Sequence, residues 1–382
     1  MPWKEKTVEE KRLEFVVAAI SQEDSISSLC RKYGITRRTG YKWIERYKKD
    51  GILSDQSRTP HHKPRKTLPE KEDQVLSVRS EHPTWGPRKI RRFLENKGHT
   101  DLPATSTIAD ILKRNGLITP ENSIAHTPYK RFEMQHPNDM WQMDFKGHFA
   151  MLNGDRCHPL TITDDCTRKL LCLDAYGNER LESVQRSLLR VFAEYGLPNS
   201  ILCDNGAPWG DSQKGYTQFE IWMMQLGILP MHGRPLHPQT QGKEERFHKT
   251  LKEDILNRTV IYDLEHAQQI FDAYRLCFNT ERPHEALGLD VPDSRYKKSK
   301  RSLPDKIGEP EYNCGANLRK VNFKGYISIN NCRYYLSESF IGKYLELIYT
   351  ADDTVWLCYG KYRVAIIDLK ERLFTSRKIY LR

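Results

Sequence analysis

The 382-residue chain carries 61 Lys+Arg against 50 Asp+Glu, a formal net charge of +11, with 38% hydrophobic, 29% charged and 10% aromatic residues. Such a composition excludes a disordered or collagen-like chain, and the length predicts about two to four domains. No apolar run approaches the roughly 18 residues of a membrane span, and the start, MPWKEKTVEEKRLEF, is too charged for a secretory signal. The nine cysteines (Cys30, Cys157, Cys166, Cys172, Cys203, Cys277, Cys314, Cys332, Cys358) include no CxxC pair. They predict reduced core residues, a cytoplasmic location and no zinc site.

In chain order, Thr7 to Ile20 and Ser25 to Tyr33 carry apolar residues at helical spacing, and Gly34 turns the chain into a third helix that Thr36 can cap. In that helix Gly40, Trp43, Ile44 and Tyr47 share one face, while Arg37, Arg38, Tyr41 and Lys42 share the other. One face docks the helix and the other is offered to a DNA major groove, the logic of a helix-turn-helix over residues 1–53. A plain three-helix bundle with solvated charges is the alternative. Residues 54–68, rich in Pro, His and basic side chains including Arg65 and Lys66, read as a basic linker suited to tracking phosphates.

A second helical trio follows over 69–118, its helices placed at about Pro69 to Ser80, Gly86 to Lys97 and Ala104 to Asn115. Its third helix is the less basic of the two candidate readers, with Lys113 and Arg114 only at its end. After a linker at 119–139 the pattern becomes extended: Trp141 to Phe149, Pro159 to Thr163, Leu170 to Tyr176 and Ser200 to Cys203 read as strands. Arg180 to Tyr195, Tyr216 to Leu226, Thr240 to Leu256 and Leu264 to Asn279 read as helices, giving an α/β domain with a mixed sheet over 140–290. Residues 291–317 read as a basic linker. Residues 318–382 alternate like strands, with a hairpin signal at Asn330-Asn331, and predict a small all-β barrel.

Charge is unevenly placed: residues 1–130 carry 26 basic and 17 acidic side chains, residues 131–290 carry 17 and 23, and residues 291–382 carry 18 and 10. Basic flanks around an acidic centre predict ends that grip a polyanion, nucleic acid first, and a middle that works through carboxylates. Within that centre, Asp144 lies in a strand that otherwise reads as core, where an unpaired carboxylate is costly. Asp204 follows a short buried strand just before a Gly turn, and Glu245 sits in GKEERFHKTLK with Lys249 and Lys252 on its helix face. Three converging carboxylates repel one another, and a pair of divalent cations relieves the repulsion. Oxygen-only ligation favours two Mg²⁺ (or Mn²⁺) over zinc.

WQMDF, LCDNGAPW, HPQTQGKEERFHKTLK, FNTERPHEALG and VPDSRY, in that order, resemble the successive motifs of DDE transposases of bacterial insertion sequences, in the retroviral-integrase superfamily. The resemblance covers essentially the whole chain and implies an RNase H-like, integrase-type catalytic core behind helix-turn-helix units, with the segment HPTWGPRKIRRFL, which holds Arg88 and Lys89, in the DNA-binding half. It implies Asp144, Asp204 and Glu245 as the catalytic, metal-binding acids, not the neighbouring Glu244, which points about 100° away around the helix. The 40 residues between Asp204 and Glu245 exceed the family's commonest spacing, and the longer WGDSQKGYTQ loop is the cause. The resemblance further implies double-stranded DNA as partner, both transposon ends and target, cleavage that frees 3′-hydroxyls, their transfer to target DNA, and a homodimer or larger assembly on DNA. Lys243, Lys249 and Lys252 are candidate phosphate contacts; His237, His248 and His284 read as phosphate or packing contacts without a catalytic role, and Trp209 and Arg282 as structural residues. A DNA-binding regulator with an inactive core, and a nuclease of the same fold that cuts without joining, are the competing readings. No small-molecule substrate or membrane is expected, and no Walker-type loop is present.

Overall fold

The structure is a computed structural model that describes residues 6–55, 67–118, 133–206, 208–209, 215–233, 242–371 and 373–381. It divides into two compact units, Met1–Lys66 and Thr67–Arg382. In the first, Thr7 and Glu10 form a reciprocal cap that starts α1 (Val8–Ile20), Ser25 caps α2 (Ile26–Lys32), and Thr36 caps α3 (Arg37–Asp50). Phe15, Val16, Leu29, Cys30 and Trp43 form the core. Gly40 is the contact point of α3: a Cβ there would lie 2.7 Å from Cys30 Sγ and 2.9 Å from Phe15 Cζ. Only the absence of a side chain lets the helix sit this close, which turns Arg37, Arg38, Tyr41 and Lys42 outward.

The second unit opens with α4 (Pro69–Glu81), α5 (Pro87–Asn96) and α6 (Thr105–Arg114), packed around Val75, Trp85, Ile90, Phe93, Ile108 and Leu112. The Arg79 guanidinium closes the trio by donating to the carbonyls of Trp85 at 2.6 Å and Leu117 at 2.8 Å.

The α/β part is built on a mixed sheet of β1 (Met140–Phe145), β2 (Phe149–Ala150), β3 (Arg156–Asp164), β4 (Leu170–Tyr176), β5 (Ser200–Cys203) and β6 (Leu229–His232). The order is β2-β3-β1-β5-β6 with β4 also on β3, antiparallel around β3 and parallel from β1 through β5 to β6. Between the strands lie α7 (Leu181–Tyr195) and α8 (Gln218–Gln225). After them come α9 (Gly242–Leu251), a π-helical turn (Lys252–Leu256), α10 (Leu264–Thr280) and the short α11 (Pro292–Arg295). Val184, Leu188 and Phe192 of α7 pack on Trp141, Leu160 and Ile162. Phe247 and Leu251 of α9, with Phe271 and Phe278 of α10, pack on Leu170 and Leu173.

Three sequence expectations change here. The extended run from Trp141 breaks after Phe145, and its far end is the separate two-residue β2. β6 was not expected, because Pro230 within LPMH argues against a strand; at the edge of a sheet the missing N–H costs nothing. Much of the expected basic linker after residue 291 is an ordered strap. Tyr296 donates to Asn138 Oδ1 at 2.7 Å, and Arg301 donates to the carbonyls of Pro198, Leu226 and Gly227 at 2.6, 2.9 and 2.7 Å.

The C-terminal strands are β7 (Leu318–Lys320), β8 (Tyr326–Ile329), β9 (Cys332–Tyr335), β10 (Tyr344–Tyr349), β11 (Thr354–Tyr359), β12 (Tyr362–Asp368) and β13 (Leu373–Leu381). They pair as a five-stranded antiparallel sheet, β13-β12-β11-β10-β7, and a β8-β9 hairpin whose turn residues Asn330 and Asn331 both have positive φ, 48° and 60°. Among the described residues no helix is long and apolar enough to cross a membrane.

The strap produces a test. Gly196 ends α7 at φ 78°, ψ −177°, a region reserved for glycine, and a Cβ there would lie 2.7 Å from the Arg301 carbonyl oxygen. Gly196→Ala is expected to destabilise the protein by about 2–3 kcal/mol in denaturant unfolding, whereas Gly308→Ala, which meets nothing within 4 Å, changes little.

Candidate active site

β1 and β5 run parallel in register, Gln142 opposite Leu202, so the next residues along each strand bring Asp144 level with Asp204 just past the end of β5. Asp204 is half-buried; its Oδ1 accepts the Gly206 N–H at 3.0 Å, and a Cβ on Gly206 would crowd the other carboxylate oxygen at 3.2 Å. The turn is braced from β6: His232 Nδ1 lies 2.8 Å from the Asp204 carbonyl oxygen and Nε2 lies 3.1 Å from Glu220, itself the capping-box residue of α8. Burial opposes a charge on His232, but its contacts with Cys203, Glu220 and the Asp204 carbonyl raise its pKa and keep the ring cationic. Trp209 stacks on Phe145 at 5.5 Å and walls off the core beneath.

Glu244 and Glu245 divide as their positions on α9 require. Glu244 is 1% exposed; Thr163 hydrogen-bonds its Oε1, and Thr161 Oγ1 lies 3.1 Å from its Oε2. Burial pushes the Glu244 carboxyl up to about 8 although the Thr163 hydroxyl pulls it down. Lys243 is tied at 2.6 Å to Asp165, whose side chain is fully buried. The first turn of α9 is thus fastened to β3 by Glu244 and to the residue after β3 by Lys243, which leaves Glu245 on the exposed side.

The three acids share one electrostatic basin. Asp144 is pushed up to about 7, first by burial, then by the charge of Asp204, with Glu179 and Glu245 adding to it and the Phe145 N–H opposing it. The three carboxylates do not all lie within 4.8 Å of one another. His248 Nδ1 is 3.9 Å from Asp144 Oδ2 and Nε2 is 3.0 Å from Thr161; burial lowers its pKa to about 4, so it stands beside the acids as a neutral ring.

Sequence reasoning did not single out Glu179, held by His158 at 2.8 Å, or the Thr161 and Thr163 pair. The alternation of the two threonines along an apolar strand was the available signal, since it puts both hydroxyls on one face. His284 is half-buried and packs edge-on to Phe278 at 4.5 Å, and Arg282 pairs with Asp254 at 3.4 Å.

The candidate DNA contacts separate by their surroundings. Arg37, Arg38, Tyr41, Lys42, Arg88, Lys113, Lys249 and Lys252 are exposed, although Arg114 pairs with Glu72. Lys89 is tucked in, its pKa lowered to about 8 by burial and then by Arg282. Lys243 is occupied by Asp165 rather than presented to solvent. Arg65, Lys66 and His237 lie outside the described residues.

The raised carboxyls have a stability consequence. Asp144 and Glu244 hold protons in the folded protein at pH values where the unfolded chain has released them, so stability falls as pH rises from about 4 through 7 to 8. In a chelating buffer Asp144→Asn is therefore expected to raise Tm by at least about 2 °C at pH 8 and by less at pH 5; no gain at pH 8 contradicts the electrostatic reading.

The integrase core domain family matches residues 134–238 and, in a second segment, residues 226–292. A helix-turn-helix domain matches residues 11–61 and a homeodomain-like domain residues 39–112. A 31.7 kDa protein of insertion element IS407 from Burkholderia multivorans is 25% identical over 251 residues, 62% of this chain and 86% of its own. The transposase InsD of insertion element IS2 from Escherichia coli is 27% identical over 235 residues, 57% of this chain and 75% of its own. Among solved structures, a chain of the simian T-cell lymphotropic virus intasome in complex with a PP2A regulatory subunit aligns at 17% identity over 80% of this chain and 98% of its own, with a TM-score of 0.38. The chain carries an integrase core domain together with helix-turn-helix domains, and it is similar to the transposases of bacterial insertion elements.

Proposed function

We propose that the protein is a transposase that binds the terminal inverted repeats of a mobile DNA element, cleaves at the ends to free 3′-hydroxyls, and joins them to target DNA by phosphodiester transfer. The observation that carries this reading is the parallel pairing of β1 with β5, which sets Asp144 abreast of Asp204 beneath the exposed Glu245 of α9, with burial and the charge of Asp204 raising the Asp144 carboxyl. Such crowding is unfavourable in the protein alone and is relieved by divalent cations. The donor set of Asp144, Asp204 and Glu245 is all oxygen, and the adjacent His248 is fastened to Thr161, so the residues fit two Mg²⁺ or Mn²⁺ ions better than zinc. When bound, the ions supply activation of the attacking oxygen and stabilisation of the leaving one.

The chain's own residues do the rest. The β1 and β5 strands hold Asp144 and Asp204 side by side, and the Gly206 N–H and the His232 brace fix the Asp204 turn. The docked first turn of α9 carries Glu245, while Lys249, 70% exposed, and Lys252 are placed on the same helix and the turn after it to hold terminal phosphates. The outward face of α3 reads bases, and Arg88, Lys113 and the linker around Arg65 and Lys66 follow the backbone. The C-terminal sheet and hairpin enclose one core with Tyr216, Ile221 and Met224; we read them as a small barrel that helps to bridge subunits in a dimer or larger complex on DNA.

Labelled DNA carrying the element's ends, incubated with Mg²⁺ and either wild type or Asp204→Asn, tests the reading. Nicked and joined products from wild type and none from Asp204→Asn are expected. End binding without products points instead to a DNA-binding regulator, and cutting without joining to a nuclease. Lys249→Ala is expected to lower end cleavage and to reduce the salt dependence of binding by about one unit of slope; unchanged cleavage excludes it as a phosphate contact.

A further inference from the structure

Away from the acids, the helical trio meets α10 at a second group of metal-competent side chains. His82, the residue that ends α4, is stacked on Trp85 at 3.7 Å with 7° between the rings, which fixes its imidazole plane. Cys277 and Glu281 lie one turn apart at the end of α10, the spacing that puts two ligands on one helix face. One ligand atom from each of the three lies within 4.8 Å of the other two, and among the described residues no other trio of His, Cys, Asp or Glu does so.

The surroundings suit an ion. All three residues are half-buried, and a notch of about 200 Å³ lined by Phe93, Asn96, Lys97, Thr280 and Glu281 opens at the Glu281 side of the group. Ligands of one tetrahedral zinc stand about 3.5 Å apart, so closing the trio takes shifts of about 1 Å at side-chain ends. The Glu281 carboxylate is paired with Lys97 at 3.2 Å, a solvent-exposed contact that an ion can displace. One nitrogen, one sulfur and one oxygen donor select a borderline-soft cation, unlike the all-oxygen acids near Asp144.

We propose that His82, Cys277 and Glu281 form a Zn²⁺-class site that pins the end of α4 to the end of α10. Binding forms a metal–sulfur bond as the Cys277 thiol gives its proton to solvent. The pin adds to polar ties already present between the trio and the core, Arg92 to Asp290 at 3.0 Å and Thr84 to Asp254. It therefore sets the pose of α5, which carries Arg88 and Lys89, against the α/β part. It is independent of the transposase reading.

The full-length protein, stripped of metal and then titrated with Co²⁺ in excess Mg²⁺, tests the site. One equivalent of Co²⁺ with a near-ultraviolet thiolate charge-transfer band and visible bands of four-coordinate geometry is expected, lost on adding Zn²⁺. Cys277→Ser removes the thiolate band; His82→Gln and Glu281→Gln, on different helices, each weaken Co²⁺ binding at least about tenfold. Asp204→Asn leaves the band intact. Wild type without a thiolate band, or Cys277→Ser that retains one, overturns the proposal.

Discussion

A carboxylic acid taken wholly out of water must find hydrogen-bond partners inside the protein, and Glu244 finds them in Thr161 and Thr163 of β3. That contact, with the Lys243 and Asp165 pair one residue earlier, fixes the rotation of α9 about its own axis. Successive residues on a helix are turned by about 100°, so seating Glu244 against the sheet obliges Glu245 to face away from it. The placement of Glu245 depends on this: without a fixed α9, Glu245 would not be held on the side of the helix away from the sheet.

The remaining architecture supports the same point from other sides. Parallel pairing of β1 with β5 brings two acids abreast, and β6 supplies His232 to hold the turn after β5. The strap through Tyr296 and Arg301 locks the far end of the sheet by capping carbonyls at the ends of α7 and α8. Electrostatics then gives the site its character. Acids crowded in a partly dry setting favour a bound proton or a cation over free charge.

Much of this was legible in the sequence where local pattern and local structure coincide. Thr36 caps the helix it was expected to cap, and the helices expected from Thr7 and Ser25 start one residue later with those residues as their caps, because a capping hydroxyl acts on backbone only two or three residues away. Asp144 stood out because its strand is otherwise apolar. The strap was misread because its composition is that of a linker, and its order comes from carbonyls contributed by Pro198, Leu226 and Gly227, far away in the chain. β6 was missed because a proline masks a short edge strand. Lys243 looks free in sequence and is not, since its partner Asp165 lies on a turn that only folding brings to it. That His248 and Glu179 stand near Asp144 was not legible for the same reason: each reaches the acids from a separate element.

The most direct test of the acid-site reading is a crystal structure of the protein grown with Mn²⁺, with the metal located by its anomalous scattering. Manganese held by Asp144 and Asp204, with Glu245 as a further ligand and Glu244 still buried against Thr161 and Thr163, is expected. Manganese bound by Glu244, or absent from Asp144 and Asp204 at millimolar concentration, would contradict the assignment and the catalytic role built on it.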